Sequence, residues 1–571
     1  MRRLLLLVLA ALLLTGCASM PTSGPVTEIG KVVAPAEDEG FAIDPRPPQP
    51  GASPTDIVLG FLDAMQATPI QTTVARQFLA HDLASSWNPQ LETITYADKT
   101  LPHGSGVVSV DLQGANHLDA QGAWQGPIST AEGQLRFPMV RERGQWRIAA
   151  APNALIVPQS WFDSRFTQVS LYFFDPTGRI LVPEPVFVPR GTQLATTLVR
   201  DLVTGPSKAL TGVARTFLPA GVSSGLSVPV GSDGVAAVDL NGELGQQSAH
   251  TLQLMTAQLA WTLRQDQAIT ALRLSIGGRP VDSGGGATDI SASGDDEYDP
   301  AGSPTTDRLY GLDKGLVVVR SGSNWTAVAG PLGETEHPLR SVAVALDETQ
   351  AAAVSADGRQ LLLAPLAGGG KLRVALTGQN LLRPAWDFDS RLWEIDRTAA
   401  GAVVSVVEGT RVATVDVPGI TGQDVRRFLV SRDGSRLVAV VRRPRGDEVV
   451  ASRLQGDDQG RVTGATPARI ISDPSEGSVR IKDLGWESPT AVLALQQLSG
   501  TALIHTLSVD GAVAGYPGAT LTVGDRLKAM VTSPVPGNAL YGVAGTDLIT
   551  LSGESRDTAI GAGLTALGYV G

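Results

Sequence analysis

Apolar residues keep a helical period near the start of the folded chain and lose it further on. Ile57, Val58, Phe61, Leu62 and Met65 fall on one helical face. Ser53-Pro54-Thr55-Asp56 supplies the start of that helix, with Ser as N-cap, Pro in the first helical position and a carboxylate three residues after the cap. Val74, Phe78, Leu79 and Leu83 form a second amphipathic stretch that ends near Trp87-Asn88-Pro89. Beyond it the period shortens to two over 107–112, 134–141 and 145–149, which predicts strands. Residues 53–160 therefore read as an α+β domain.

Residues 166–282 read as another. A strand is predicted over 168–174, then a helix over 192–204 with Leu194, Leu198, Val199, Leu202 and Val203 on one face and Gly205-Pro206 as its stop. A strand over 235–240, a helix over 248–265 with Leu252, Met255, Leu259 and Leu263 facing the core, and a strand over 271–276 complete it. Residues 283–307 are rich in Gly, Ser, Asp and Pro and predict a linker or long loop.

From 308 to 571 the pattern is short apolar runs between turn signals. Ser355-Ala356-Asp357-Gly358-Arg359-Gln360-Leu361 and Ser431-Arg432-Asp433-Gly434-Ser435-Arg436-Leu437 are one phrase, a tight Asp-Gly turn followed by an apolar strand. Pro384-Ala385-Trp386-Asp387 and Leu484-Gly485-Trp486-Glu487 look like strands that open a four-stranded unit. Such units resemble a TolB-like β-propeller, and at ~40–45 residues per blade the segment holds roughly six. A pair of two-sheet sandwiches fits the recurring phrase less well.

The extreme N-terminus carries a different pattern. Met1-Arg2-Arg3 precedes an apolar run from Leu4 to Leu14, too short to span a bilayer, and Leu14-Thr15-Gly16-Cys17 follows. These features predict a lipoprotein signal peptide over 1–16, cut between Gly16 and Cys17. Cys17 would carry a thioether to diacylglycerol and an N-acyl chain, chemistry that a thiolate makes possible. Residues 17–52 follow as a proline-rich tether, at ~3 Å per residue reaching on the order of 100 Å. The expected place is the extracytoplasmic face of the cell membrane, held by lipid.

Charge and cysteine content narrow the function. The 571 residues hold 45 basic and 56 acidic side chains, a net charge of -11, which argues against nucleic acid and against an electrostatic membrane patch. Cys17 is the only cysteine, so no internal disulfide braces any domain. His81, His103, His117, His250, His337 and His505 show no metal-ligand spacing, and no metal or other cofactor is expected. Gly221-Val222-Ser223-Ser224-Gly225 fits G-x-S-x-G, but an extended run follows it where a nucleophile elbow needs a helix. Gly368-Gly369-Gly370-Lys371 has Leu372 where a phosphate loop needs Ser or Thr, so a hairpin or interblade turn is expected. Asp295-Asp296-Glu297-Tyr298-Asp299 lacks the alternating ligands of a calcium loop and reads as solvated linker charge. No enzyme is predicted.

Three resemblances order these parts. Arg143-Gly144-Gln145-Trp146-Arg147-Ile148 is similar to the last hairpin of NTF2-like domains. Leu202…Gly205-Pro206, Gly234-Val235 running into Val238-Asp239-Leu240, and Gln258…Thr262-Leu263 resemble the GerMN domain. Lipobox, tether, NTF2-like segment, GerMN domain and propeller, in that order, resemble the actinobacterial LpqB lipoproteins. That resemblance implies an accessory protein of the MtrA/MtrB two-component system, binding the extracellular part of a sensor histidine kinase and modulating signalling in cell-wall homeostasis and division. Of individual residues it carries over only Cys17. The alternative is an envelope lipoprotein that binds cell wall, with peptidoglycan a candidate, or a small ligand, without a kinase partner.

Overall fold

The computed structural model describes residues 45–281, 289–302, 306–472, 479–512, 520–551, 556–559 and 563–571. Gly16, Cys17 and most of the tether lie outside these residues.

The helix Pro54–Ala64 begins as predicted. The Ser53 hydroxyl accepts from the Asp56 N–H, and the Asp56 carboxylate accepts from the Ser53 N–H at 3.2 Å. This reciprocal box satisfies two of the N–H groups that a helix start leaves without partners. Ile57, Val58, Phe61, Leu62 and Met65 are all buried. The second predicted helix is broken into Thr73–Arg76 and His81–Ser86. Between them Ile148 donates to Phe78 O at 3.0 Å and Ala80 donates to Ile148 O at 2.8 Å. Pairing with a strand wins over helix propensity there, and Phe78 and Leu79 still enter the core. Two sheets pack with these helices. One orders Asp98–Lys99, Val107–Gln113, Gln134–Glu142 and Gln145–Ile148; the other orders Trp124–Pro127, Asn116–Leu118, Thr93–Tyr96 and Leu155–Pro158. Arg143 and Gly144 both take positive φ between Glu142 and Gln145, the conformation that a two-residue hairpin turn requires.

The next part is built on a long hairpin, Phe166–Phe174 with Leu181–Pro189. Helices Leu194–Thr204 and Ala249–Leu263 pack with it and with a second sheet, whose central pair, Val235–Asn241 and Ala271–Ile276, is parallel. The longer helix is buried continuously from Leu254 to Leu263, more than its predicted apolar face. Its polar side chains are the reason. Gln258 donates to Tyr172 O (3.2 Å) and accepts from Phe217 N (2.6 Å), while Gln265 beyond the helix pairs with both Ser170 N and Ser170 O. Polar groups can be buried where their hydrogen bonds are completed.

The predicted linker is partly ordered. Ile290–Ser291 adds a strand beside Ala271 and Leu272, and Tyr298 is buried edge-on against Phe174 at 5.1 Å. The acidic run is thus not simply solvated charge. Burial raises the carboxyl pKa of Asp295 and of Asp299 above the usual range.

Between Tyr310 and Gly568 the described strands form six antiparallel sheets. Their inner strands are Leu564–Gly568, Leu339–Val344, Ala385–Trp386, Val425–Val430, Ile481–Ser488 and Ala529–Val531. The last strand of the chain joins the sheet that begins at Tyr310, so the two ends of the segment meet and the ring closes. The two predicted opening strands are inner strands, and Gly368–Lys371 lies in a hairpin between Gln360–Pro365 and Arg373–Thr377. The repeated Ser-x-Asp-Gly phrase makes the same turn twice. Ser355 and Ser431 donate to Asp357 and Asp433 (2.6 and 2.5 Å) and accept from Gln360 N and Arg436 N (3.0 and 2.9 Å). Yet one turn joins the second and third strands of its sheet and the other joins the first and second, so the phrase marks a turn and not a fixed place in a repeat.

Candidate functional site

The inner strands surround a cavity of about 590 Å³, within the range of small-molecule sites. Two tryptophans brace its wall. Trp386 Nε1 donates to Ala343 O at 3.3 Å and Trp486 Nε1 to Val430 O at 3.1 Å, each tying one inner strand to the inner strand of the preceding sheet. Buried indole N–H groups need such acceptors.

Arg432 lines the cavity at the end of its inner strand. Its guanidinium donates to Ala301 O (2.9 Å), Val570 O (2.6 Å) and Ser533 Oγ (3.5 Å), linking the inter-domain segment, the last residues of the chain and the turn after Val531. Burial pushes its pKa down to about 10, against the pull of Asp299. The other end is rich in cations. Arg340, Arg383, Arg397, Arg427 and Lys528 line it, with Asp483 as the carboxylate among them. This is a strong local inversion in a chain of net charge -11.

The cations come to one rim for a structural reason. An apolar–basic pair stands at or just before the start of five inner strands, Leu339-Arg340, Leu382-Arg383, Val425-Arg426, Ile481-Lys482 and Leu527-Lys528, and of these basic residues Arg340, Arg383 and Lys528 line the cavity. In three of the five strands the register shifts at that basic residue, between Leu339 and Ser341, Val425 and Arg427, and Ile481 and Asp483. A bulge re-aims side chains at a strand end; here Arg340 and, one residue past its bulge, Arg427 line the cavity, while Arg426 and Lys482 do not. This pair recurs at the spacing of the sheets, and it was the signal in the sequence that would have found the site.

Each rim cation has some protein partner. Arg340 Nη2 donates to Asn380 Oδ1 at 2.9 Å and contacts Leu381 O; Lys528 donates to Gly545 O at 3.1 Å. Arg397 reaches Asp424 at 3.4 Å and Arg427 reaches Asp483 at 3.5 Å. Arg383, exposed at the rim, donates to Leu567 O at 3.2 Å; partial desolvation by the surrounding chain lowers its pKa, and Asp483 and Arg427 pull in opposite directions.

The opposite face of the ring holds the hairpin Phe166–Phe174/Leu181–Pro189. Glu184 on that hairpin binds Arg453 and Arg436, Arg179 meets Asp389 at 2.8 Å, and Gln168 donates to Ser508 Oγ and Asp510 Oδ2. The crevice along this seam is only about 30 Å³, room for a water and no larger ligand.

The residues that the sequence offered for chemistry do not converge. Ser223–Ser224 pairs with Leu240 and Asn241 as a two-residue strand, and no helix follows to make an elbow. Among the described residues no three His, Cys, Asp or Glu side chains are grouped to hold a metal, and no helix is long and apolar enough to cross a membrane.

Comparison with known proteins agrees with the order of parts. Residues 47–163 match the profile of the LpqB lipoprotein N-terminal domain, 170–282 match a sporulation and spore germination domain, and 315–553 match the LpqB β-propeller domain. Lipoprotein LpqB of Cutibacterium acnes is 30% identical over 566 residues, covering 95% of this chain and 93% of its own. Among solved structures, the first GerMN domain of Bacillus subtilis GerM is 25% identical over 22% of this chain and 97% of its own, with a TM-score of 0.19. TolB of Acinetobacter baumannii is 13% identical over 46% of this chain and 66% of its own, with a TM-score of 0.32. At that identity and coverage of a full-length relative, the chain belongs to the LpqB family of cell-envelope lipoproteins.

Proposed function

We propose that this lipoprotein works by binding, without catalysis, and that the central channel of the propeller is its ligand site. The observation that carries this reading is the channel itself: a cavity of small-molecule size lined by side chains from successive inner strands, Arg432 among them. In this reading residues 1–16 are removed, Cys17 carries the lipid, 17–52 form the tether, 53–160 are NTF2-like, 166–282 are GerMN and the six sheets are six blades. The tether sets how far from the membrane surface the channel can reach.

Family membership favours a second reading, which the resemblance to LpqB implies: contact with the extracellular part of an MtrB-like sensor kinase, modulating two-component signalling. The two readings separate in one experiment. The whole chain in detergent is mixed with purified cell-wall material, and separately with the extracellular part of the kinase. Retention by wall material without affinity for the kinase supports the envelope-binding reading. Saturable kinase binding with no wall retention overturns it in favour of the second.

A further inference from the structure

One feature of the channel is unexplained by the fold alone, and a second leaves hydrogen-bonding capacity open at its mouth. Among the described residues, the Ser341 hydroxyl lies in the channel wall, 9% exposed, with no hydrogen-bond partner. Arg383 stands exposed at the channel mouth, and among the described residues one of its five N–H donors makes a hydrogen bond, to Leu567 O at 3.2 Å, which leaves the others free for a ligand. Buried hydroxyls ordinarily find partners, because leaving the bond unmade costs the desolvation of the group. Space for the guanidinium is also provided. A Cβ at Gly568 would collide with Arg383, so the glycine leaves the room that the cation occupies.

Arg427 stands at the same rim. Its Nη1 donates to Arg426 O at 2.9 Å and its Nε faces Asp483 at 3.5 Å, while half of the side chain remains exposed. Arg427 and Arg383 act on each other as like charges. An anion between them would relieve that repulsion and take up the spare donors.

We infer that the channel mouth binds an oxyanion, a carboxylate or a phosphate carried by a small ligand, through Arg383 and Arg427 with Ser341 donating alongside. Planar guanidinium groups pair with the two oxygens of such a group in a fork, which sets its orientation as well as its affinity. The cavity volume limits the ligand to what fits about 590 Å³. A cleft with cations at its mouth also focuses field lines and raises the local concentration of anions. This inference rests on the channel being the ligand site.

The test is calorimetric titration of the whole chain in detergent, at low ionic strength, with inorganic phosphate, with glutarate and with neutral glucose. Saturable binding of one phosphate or one glutarate per chain is expected, and none of glucose; the stronger of the two anions tells which oxyanion the site prefers. Arg427→Gln, at the exposed rim, should weaken it about tenfold or more, and Ser341→Ala should weaken it measurably. Arg383→Met should abolish it, with folding checked by circular dichroism. Arg411→Gln, exposed on an outer strand, should change nothing. Equal weakening by Arg411→Gln and Arg427→Gln, or no saturable binding of either anion, overturns the inference. Wall retention of the Arg427→Gln variant is measured in parallel. If anions fail to bind while the wall still retains the protein, the oxyanion site falls and envelope binding stands; if both fail, both fall.

Discussion

Glu184 and Arg453, 269 residues apart in the chain, form a two-pronged ion pair with N–O distances of 2.5 and 2.7 Å. Arg436 completes the cluster, donating to Pro183 O at 2.7 Å and to Glu184 at 3.3 Å. Burial opposes the charge on Arg453, but Glu184 beside it outweighs that and holds its pKa above the ordinary value. Arg436, nearly enclosed, is lowered by burial and by Arg453.

Removing the shared carboxylate leaves the buried Arg436 and the part-buried Arg453 without their counter-charge. Glu184→Ala should therefore weaken the packing of the hairpin against the ring by about 3–5 kcal/mol. Hydrogen exchange of the backbone over 181–189 reads this directly, as faster exchange than in the wild type. Glu184→Met together with Arg453→Met should recover part of the loss, since two apolar groups remove the unpaired charge. Unchanged exchange in Glu184→Ala would show that the seam does not depend on the pair.

Glu394 gives a pH prediction. It is completely buried in an inner-half strand of its sheet; Oε1 accepts from its neighbour Ile395 N at 3.0 Å, and Oε2 has no partner among the described residues. Burial pushes its pKa well above the usual range. Because the folded form holds the proton longer than the unfolded chain does, stability falls as pH rises above the unfolded value of about 4.3. The slope is at most about 1.4 kcal/mol per pH unit until the folded group ionises. Glu394→Gln should match the wild type near pH 4 and be the more stable of the two at pH 8, by urea denaturation followed through protection of the strand Leu392–Thr398. A constant difference across pH would refute the assignment.

How much of this was readable beforehand differs by feature, for physical reasons. The helix at Ser53 was legible because its cap chemistry and apolar period are both local. The helix expected over Val74–Leu83 was not, because Ile148, distant in sequence, competes for the same backbone groups. The opening strands at Trp386 and Trp486 were recognisable, but not what their indoles bind. The order within the segment read as a linker or long loop was not legible, because Tyr298 is one buried aromatic among many small and acidic residues. The rim of the channel was hidden for another reason: Arg340, Arg383 and Lys528 look like isolated surface charges until strand order brings them together.

The brace between inner strands predicts its own defect. Trp486→Phe keeps most of the ring volume but removes the N–H that Val430 O accepts at 3.1 Å. A buried carbonyl left without its donor costs about 1–3 kcal/mol, and the smaller ring adds a void. The variant should unfold at a lower temperature than the wild type by scanning calorimetry, with Trp386→Phe showing a loss of the same sign through Ala343 O. If both variants unfold with the wild type, the tryptophans fill space and do not tie the sheets.

Cys17 carries the prediction about where the protein acts. In the proposed reading the thioether to diacylglycerol would form at the Cys17 thiolate, and cleavage after Gly16 would wait for it. A serine at this position cannot supply that sulfur, so Cys17→Ser should incorporate no labelled palmitate and should retain residues 1–16, visible as a heavier chain by mass spectrometry. Each acyl chain adds about 0.8 kcal/mol per buried CH₂, so the loss removes the anchor and leaves only the apolar run from Leu4 to Leu14, too short to span a bilayer. The folded part, beginning at Ser53, should be unaffected, and anion titration of the Cys17→Ser chain should give the wild-type affinity. Labelling or normal processing of the variant would place the lipid on another residue.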